Sequence, residues 1–281
     1  MAFIPLPMTL SVPTRLQWSP LQRYLELLHI LVERNLKGRY RGSLLGVYWS
    51  LLNPLIMTLL YTAIFGAVFK DFYGSIQNYV LAAFTGLVVI NFFSSSTNQA
   101  LASVVGNGSL MNKIRLPVTV FPLSMIVANV FQFVVGPLPL LAIVTLIHKI
   151  PSHNPLLMVV DVLALTIPLF ALVLVCAGVG YFVSALYVFF RDLPYFYELV
   201  CFMLWIGSPI FYPVKIVPKA VQHFLIINPL LPIIESIRQI SLNSNWPDVG
   251  LMVHSLLNGV ILLALGWFCF RSWQKQFMDL L

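Results

Sequence analysis

Four cations, Arg34, Lys37, Arg39 and Arg41, fall within eight residues of the stretch RNLKGRYRGSLLGVYW (34–49), in a chain of 281 residues that holds only 16 lysines and arginines. Guanidinium and ammonium groups at that density pair with anionic oxygens, Arg as a two-pronged fork and Lys as a point charge. The sequence turns apolar directly afterwards and stays so to Phe69. The cluster therefore sits at the mouth of a hydrophobic run, where an anionic membrane surface attracts each nearby cation by about 1 kcal/mol. Anchoring one helix end does not require four of them.

Other chemistry is sparse. The sequence has no glycine-rich P-loop, no nucleophile elbow, no zinc-binding His-Glu pattern and no paired-cysteine motif. His29, His148, His153, His223 and His254 are far apart. Asp161 and Glu198 lie in apolar surroundings but near segment ends, which favours an acid paired or snorkelling at the interface over a proton relay. Aromatic residues make up 14% of the chain. Tyr48, Trp49, Tyr61, Phe65 and Phe69 cluster in one segment, and Tyr195, Phe196, Tyr197, Phe202, Trp205, Phe211 and Tyr212 in another. Rings near segment ends suit an interfacial belt. Tyr61, Phe65, Phe202 and Trp205 lie deeper, where they either pack helices or offer flat faces to sugars.

The elements that must position these groups belong in a membrane. The chain is 59% hydrophobic and 9% charged, against about 25% charged residues in soluble domains. With a crossing needing roughly 20 apolar residues, six spans are expected: 47–69, 79–101, 117–147, 156–190, 195–211 and 250–270. Pro168 should kink the fourth rather than end it. Cys176, Cys201 and Cys269 are single and form no ligand set. The proline-broken first residues do not read as a signal peptide.

Before the first span, Ser19-Pro20-Leu21-Gln22 predicts a capped helix start. Gln22, Glu26, His29, Glu33 and Lys37 form one polar stripe, with Leu21, Leu25, Leu28 and Val32 opposite. Such a helix should lie in the headgroup region with its oily face towards the acyl chains. If the N-terminus is cytoplasmic, eleven cations fall inside and five (Lys70, Lys149, Lys215, Lys219, Arg238) outside, which places both termini in the cytoplasm. The basic links 106–117 and 189–196 then face in, as topology anchors or as docking elements for a cytoplasmic partner. Segment 212–249 is too apolar for a solvated loop and too broken by Pro213, Pro218, Pro229 and Pro232 for a crossing. It should dip back into the outer leaflet.

Three stretches together resemble the transmembrane subunit of ABC-2 type polysaccharide exporters, the group that moves O-antigen, capsule or teichoic acid precursors: RNLKGRYRGSLLGVYWSLLNPLIMTLLYTAIF (34–65), FFRDLPYF (189–196), and GSPIFYP with INPL (207–213 and 227–230). The resemblance implies an all-α, six-span, type V exporter-like fold: a tail (1–18), an interfacial helix and basic linker (19–42), and a transmembrane domain (43–281) with re-entrant gate helices. It implies a homodimer in a bacterial cytoplasmic membrane, working with two copies of a separate ATP-binding cassette ATPase. ATP and Mg would bind that partner, and this chain would hold no cofactor, bind no nucleic acid and catalyse nothing itself. Lys37, Arg39 and Arg41 would meet the phosphate of a lipid-linked glycan, most simply a polyprenyl pyrophosphate. Trp49, Tyr61, Phe65, Phe202, Trp205, Phe211 and Tyr212 would line the channel. Ser109, Leu110, Met111, Asn112 and Lys113, with Arg191 and Asp192, would couple to the ATPase, and the four prolines of 212–249 would shape the outer gate. An ion-coupled transporter would need midplane acids, and a membrane glycosyltransferase a catalytic cluster. An ABC-2 exporter of drugs or other lipids is the alternative least separated by sequence.

Overall fold

Ser19 caps the first helix as its sequence requires. Its hydroxyl accepts from the Gln22 backbone N–H at 3.3 Å, while Gln22 Oε1 accepts from the Ser19 N–H at 2.9 Å. A computed structural model describes residues 19–280 except 112, 114–115, 150–154, 220–221, 223–224, 226 and 243–247. Helix α1 (Pro20–Tyr40) follows the cap. It does not simply lie on lipid. Leu31 is buried, and Tyr24, Leu27 and Leu28 pack with it against Val104, Met111, Val120, Phe121, Phe270 and Phe277, whereas Leu21 and Leu25 stay exposed. The oily arc of α1 is wide enough to be shared between a protein surface and the surroundings, which a count of leucines could not divide.

Among the described residues, five stretches are long and apolar enough to cross a membrane: Gly46–Tyr73, Ile76–Ser103, Val120–His148, Val160–Phe189 and Val249–Gln276. The first contains α2 (Trp49–Tyr73) and the second is α3 (Ile76–Ser103). Gly74 turns between them at φ 78°, a left-handed conformation that costs an ordinary side chain about 1 kcal/mol. Ser75 then caps α3 by accepting from the Asn78 N–H at 3.1 Å. Helix α3 is the centre of the bundle, buried along most of its length. Helix α2 leaves Ile56, Leu59, Leu60, Ile64 and Val68 exposed.

A short helix, α4 (Gly108–Met111), precedes the third crossing, which is built from α5 (Val120–Val135) and α6 (Pro137–Lys149) and jointed at Gly136. Pro137 and Pro139 have no N–H for the carbonyls four residues back, so the ladder loosens there. The fourth crossing joins α7 (Pro155–Ala164) to α8 (Thr166–Phe189). Pro168 leaves the Ala164 carbonyl without its donor, yet bonds from Leu165 to Asp161 and from Leu169 to Leu165 carry the ladder through. The result is one span, as expected, interrupted at Leu165.

Helix α9 (Leu193–Gly207) is shorter than the predicted fifth span. Its 15 residues reach roughly 22 Å at 1.5 Å per residue. Pro209 accounts for the early stop, because it disfavours helical backbone at the preceding residue, and Ser208 is extended at ψ 139°. Within 212–249, a 3-10 turn at Val214–Ile216 leads towards α10 (Leu231–Leu242), a buried 12-residue helix. Pro213 and Pro232 are buried, whereas Pro218 is exposed. Pro229 follows Asn228, whose amide donates to Ser208 Oγ at 2.8 Å and accepts from the Leu230 N–H at 3.0 Å.

The last crossing contains α11 (Val249–Trp273), packed along α8. A Cβ on Gly178 would stand 2.4 Å from the Leu262 carbonyl carbon, and one on Gly266 would stand 1.9 Å from the Gly178 oxygen. Two backbones can approach so closely only where both side chains are absent, the small-residue logic of membrane helix pairs.

Candidate functional site

Lys37, Arg39 and Arg41 do not converge. Successive helical residues turn by about 100°, so positions 37 and 39 of α1 face nearly opposite ways. Lys37 pairs with Glu33 on the exposed stripe at 2.5 Å, and that ammonium group holds the Glu33 carboxyl below its ordinary range. Arg41 is the exposed residue that ends α1. Arg34, seven residues earlier, donates to Asn107 Oδ1 at 2.8 Å and so ties α1 to the link before α4.

Arg39 turns into the bundle. Its Nη1 donates to Asn129 Oδ1 at 3.1 Å and to Gln132 Oε1 on α5, and its Nη2 donates to Gln99 Oε1 on α3. Asn129 Nδ2 also donates to Gln99 Oε1 at 2.9 Å. Asn129 and Gln132 share a face of α5 by their three-residue spacing. Around this knot lies a cavity of about 390 Å³, walled also by Ser50, Asn53, Asn91 and Ser95, with Trp49 and the Phe92 and Phe133 rings. No carboxylate is among its described walls, and Asn91 Nδ2 is buried without an acceptor. The cavity is thus cationic, rich in amides and hydroxyls, and open to an anionic group that carries hydrogen-bonding neighbours. Sequence reasoning found Arg39 but missed its partners. The signal was present in the polar run SSSTNQ (94–99) and in Asn53, Asn91, Asn129 and Gln132, all inside apolar segments.

The expected channel aromatics divide into two places. Tyr61 stacks on Phe211 with ring centroids 3.6 Å apart, and Trp205 meets Phe211 at 5.2 Å and Tyr61 at 5.9 Å. Phe65 extends the set along α2 at 6.0 Å from Tyr61, and Phe202 extends it along α9 at 6.4 Å from Trp205. The return of the chain after α9 is what brings Phe211 between the two helices. Tyr212 lies beside them and donates its hydroxyl to the Ile206 carbonyl at 3.1 Å. Trp49 is apart, twelve residues before Tyr61 on α2 and in the wall of the Arg39 cavity.

The two short links share the end of the bundle where α1 docks. Leu110 and Met111 join the same cluster as Leu31, Phe189 and Phe277, while Ser109 and Lys113 are exposed and Asn112 lies outside the described residues. Asp192 is exposed, and Arg191 donates to the Leu280 carbonyl at 3.1 Å. Asp161 is buried on α7, and Glu198 is exposed on α9.

Arg238 is a residue whose importance sequence reasoning missed. It was read as an outer-loop cation, yet it is 4% exposed. Its Nε and Nη2 donate to the Ala82 carbonyl at 3.2 and 3.1 Å, and Nη2 to the Ile210 carbonyl at 2.7 Å. Glu235, one turn before it, lies 3.3 Å from Nη1. One guanidinium therefore pins α10 to α3 and to the backbone after α9.

Five stretches long and apolar enough to cross a membrane, packed about the buried α3 beside a polar cavity, define a multi-pass membrane protein. The ABC-2 type transporter family matches residues 26–242, and the chain belongs to that family. It is 30% identical over 263 residues to the O-antigen export system permease protein RfbA of Myxococcus xanthus, covering 92% of this chain and 96% of that one. A permease of the same description from Klebsiella pneumoniae is 29% identical over 258 residues, covering 91% and 95%.

Proposed function

We propose that the chain is the channel-forming subunit of an exporter that carries a lipid-linked polysaccharide, of O-antigen type, across the bacterial cytoplasmic membrane. The likeness to O-antigen export permeases over nearly the full length of both chains supports the polysaccharide. One observation in the site carries the lipid phosphate: Arg39 stands in an amide-walled cavity with no carboxylate among its described walls. Arg39 is the principal phosphate contact in this reading. Arg41 and Lys37 draw the headgroup in from the surface. Teichoic acid or capsule precursors, or another lipid, would present the same phosphate and are separated by the assay below.

Membership of the family supports the remaining parts of this reading. Two copies of the chain pair, with α2 and α9 of each facing the translocation path and the Tyr61–Phe211 stack offering ring faces to sugars. Helix α9 adds a crossing, fifth of six in chain order, and 212–249 forms the outer gate, so that both termini lie in the cytoplasm. ATP and Mg bind a separate ATP-binding cassette protein, which pushes on the links at 108–113 and 190–195. The test is complementation of a strain lacking its own permease, with the partner ATPase supplied. Surface polymer should return with the intact chain and be several-fold lower with Arg39→Ala at equal membrane abundance. No polymer of any class at the surface would overturn the reading, and wall teichoic acid or capsule alone would reassign the cargo.

A further inference from the structure

A second space adjoins the Arg39 cavity. It is an apolar crevice of about 200 Å³ walled by Val130, Leu138, Ala142, Leu165, Leu169 and Phe170, together with Phe92 and Phe133. Those two rings also wall the polar cavity. They meet edge to face with centroids 5.1 Å apart, each 8% exposed, and so form the partition between the two spaces. Thr166, a polar residue in the crevice wall, has turned its hydroxyl back to the Leu163 carbonyl at 2.6 Å.

We infer that the polar cavity and the apolar crevice are two halves of one site, which takes a phosphate-headed lipid with its headgroup at Arg39 and its chain beyond the Phe92–Phe133 partition. The inference rests on Arg39 meeting a phosphate, and it adds where the chain goes. Three features argue for a lipid rather than a soluble phosphate. The polar half holds a cation and hydrogen-bonding walls, and the apolar half offers nothing to a water-soluble ligand. The halves lie side by side, since the α5–α6 walls of the first (Asn129, Gln132, Phe133 and Pro137) interleave with those of the second (Val130, Phe133, Val134 and Leu138), so a headgroup in one and its chain in the other need only pass the shared rings. The Phe92 and Phe133 rings, finally, belong to both walls, so a change of rotamer there is the route by which the two spaces would join. The crevice faces α7 and α8, away from the aromatic contacts of α2 with α9, so a lipid held here does not occupy the sugar path.

The test uses the full-length protein in zwitterionic nanodiscs with two photoreactive probes: phosphatidic acid carrying a diazirine in its chain, and the diacylglycerol with the same chain. Crosslinks are mapped on residues 130–142 and 162–173. The phosphate probe should label these stretches about tenfold more than the neutral one, the factor expected for one charge-assisted hydrogen bond. Arg39→Gln should bring the two to parity, and Leu169→Trp, which fills the crevice, should abolish labelling there while the melting temperature is kept. Competition by undecaprenyl phosphate would mark the occupant as the carrier of the cargo, and competition by phosphatidylglycerol alone would mark a resident lipid; either sustains the site. Equal labelling by both probes, or a phosphate preference indifferent to Arg39, would reduce the crevice to ordinary lipid-facing surface. Export is not read here, so a chain that exports normally yet fails this test loses the lipid site and keeps its function.

Discussion

Arg39 at the end of α1 donates to Asn129 in the middle of α5 at 3.1 Å, and Asn129 donates onward to Gln99 of α3. Ninety residues apart in sequence, Arg39 and Asn129 tie α1 to the bundle at the wall of the cavity.

Arg39→Ala is expected to lower export about tenfold or more, because a hydrogen bond to a charged group is worth about 1.5–3 kcal/mol. Arg39→Lys should recover part of that loss, since an ammonium cannot reach acceptors on α3 and α5 with one planar fork. Lys37→Ala should change export less than twofold, its partner Glu33 being an exposed residue one turn away. Transport rates at matched membrane abundance decide all three.

Arg238→Met should destabilise the fold by about 2–4 kcal/mol, because the Ala82 and Ile210 carbonyls lose their donor inside the protein. The transition should appear in thermal unfolding of the detergent-solubilised chain as a lower Tm. Arg238→Lys is expected to fall between, since one ammonium cannot serve carbonyls on two elements with the same geometry.

Gly178→Ala and Gly266→Ala should each prevent normal packing of α8 on α11, since each new methyl would overlap backbone atoms. Gly106→Ala meets nothing within 4 Å and serves as the control. Yield of monodisperse protein by size exclusion separates the two outcomes.

Tyr61→Phe is expected to keep export and Tyr61→Ala to reduce it, because the stack on Phe211 uses the ring rather than the hydroxyl. Aromatic contacts of this kind contribute about 0.5–1.5 kcal/mol each beyond burial, so Tyr61→Ala should leave the protein folded. Circular dichroism and transport measured on the same preparations test this.

Arg191→Ala should weaken the coupling of ATP hydrolysis to transport without altering binding of the lipid, since Arg191 reaches the Leu280 carbonyl and is not among the walls of the cavity. The ratio of polymer exported to phosphate released by the complex is the measurement, and an unchanged ratio would leave the residue only a structural contact.

Local signals in this sequence were legible where one residue decides one event. Ser19 with Gln22 foretold the cap, the unbroken apolar run about Pro168 the single fourth span, and the other apolar runs the remaining long crossings. What depended on tertiary partners was not legible. The 37-39-41 spacing could not say that only Arg39 turns inward, because that depends on where α1 docks. Gln99, Asn129 and Gln132 looked like scattered polar residues until α3 and α5 placed them around one guanidinium. Arg238 was counted as a loop charge because nothing in PIIESIRQISL shows that its helix is buried against carbonyls 156 and 28 residues away. Pro209 was the available signal for the early end of α9, and it was outweighed by the hydrophobicity that continues to Phe211.

Transport of a lipid-linked glycan by the chain, reconstituted in proteoliposomes with its ATP-binding cassette partner, tests the assignment most directly. Enzymatically accessible glycan on the far side should appear only with ATP and the partner, fall sharply with Arg39→Ala, and recover in part with Arg39→Lys. A complex that hydrolyses ATP at full rate yet moves no glycan, or that moves it equally well with Arg39→Ala, would contradict the assignment of this cavity to the phosphate of an exported lipid-linked polysaccharide.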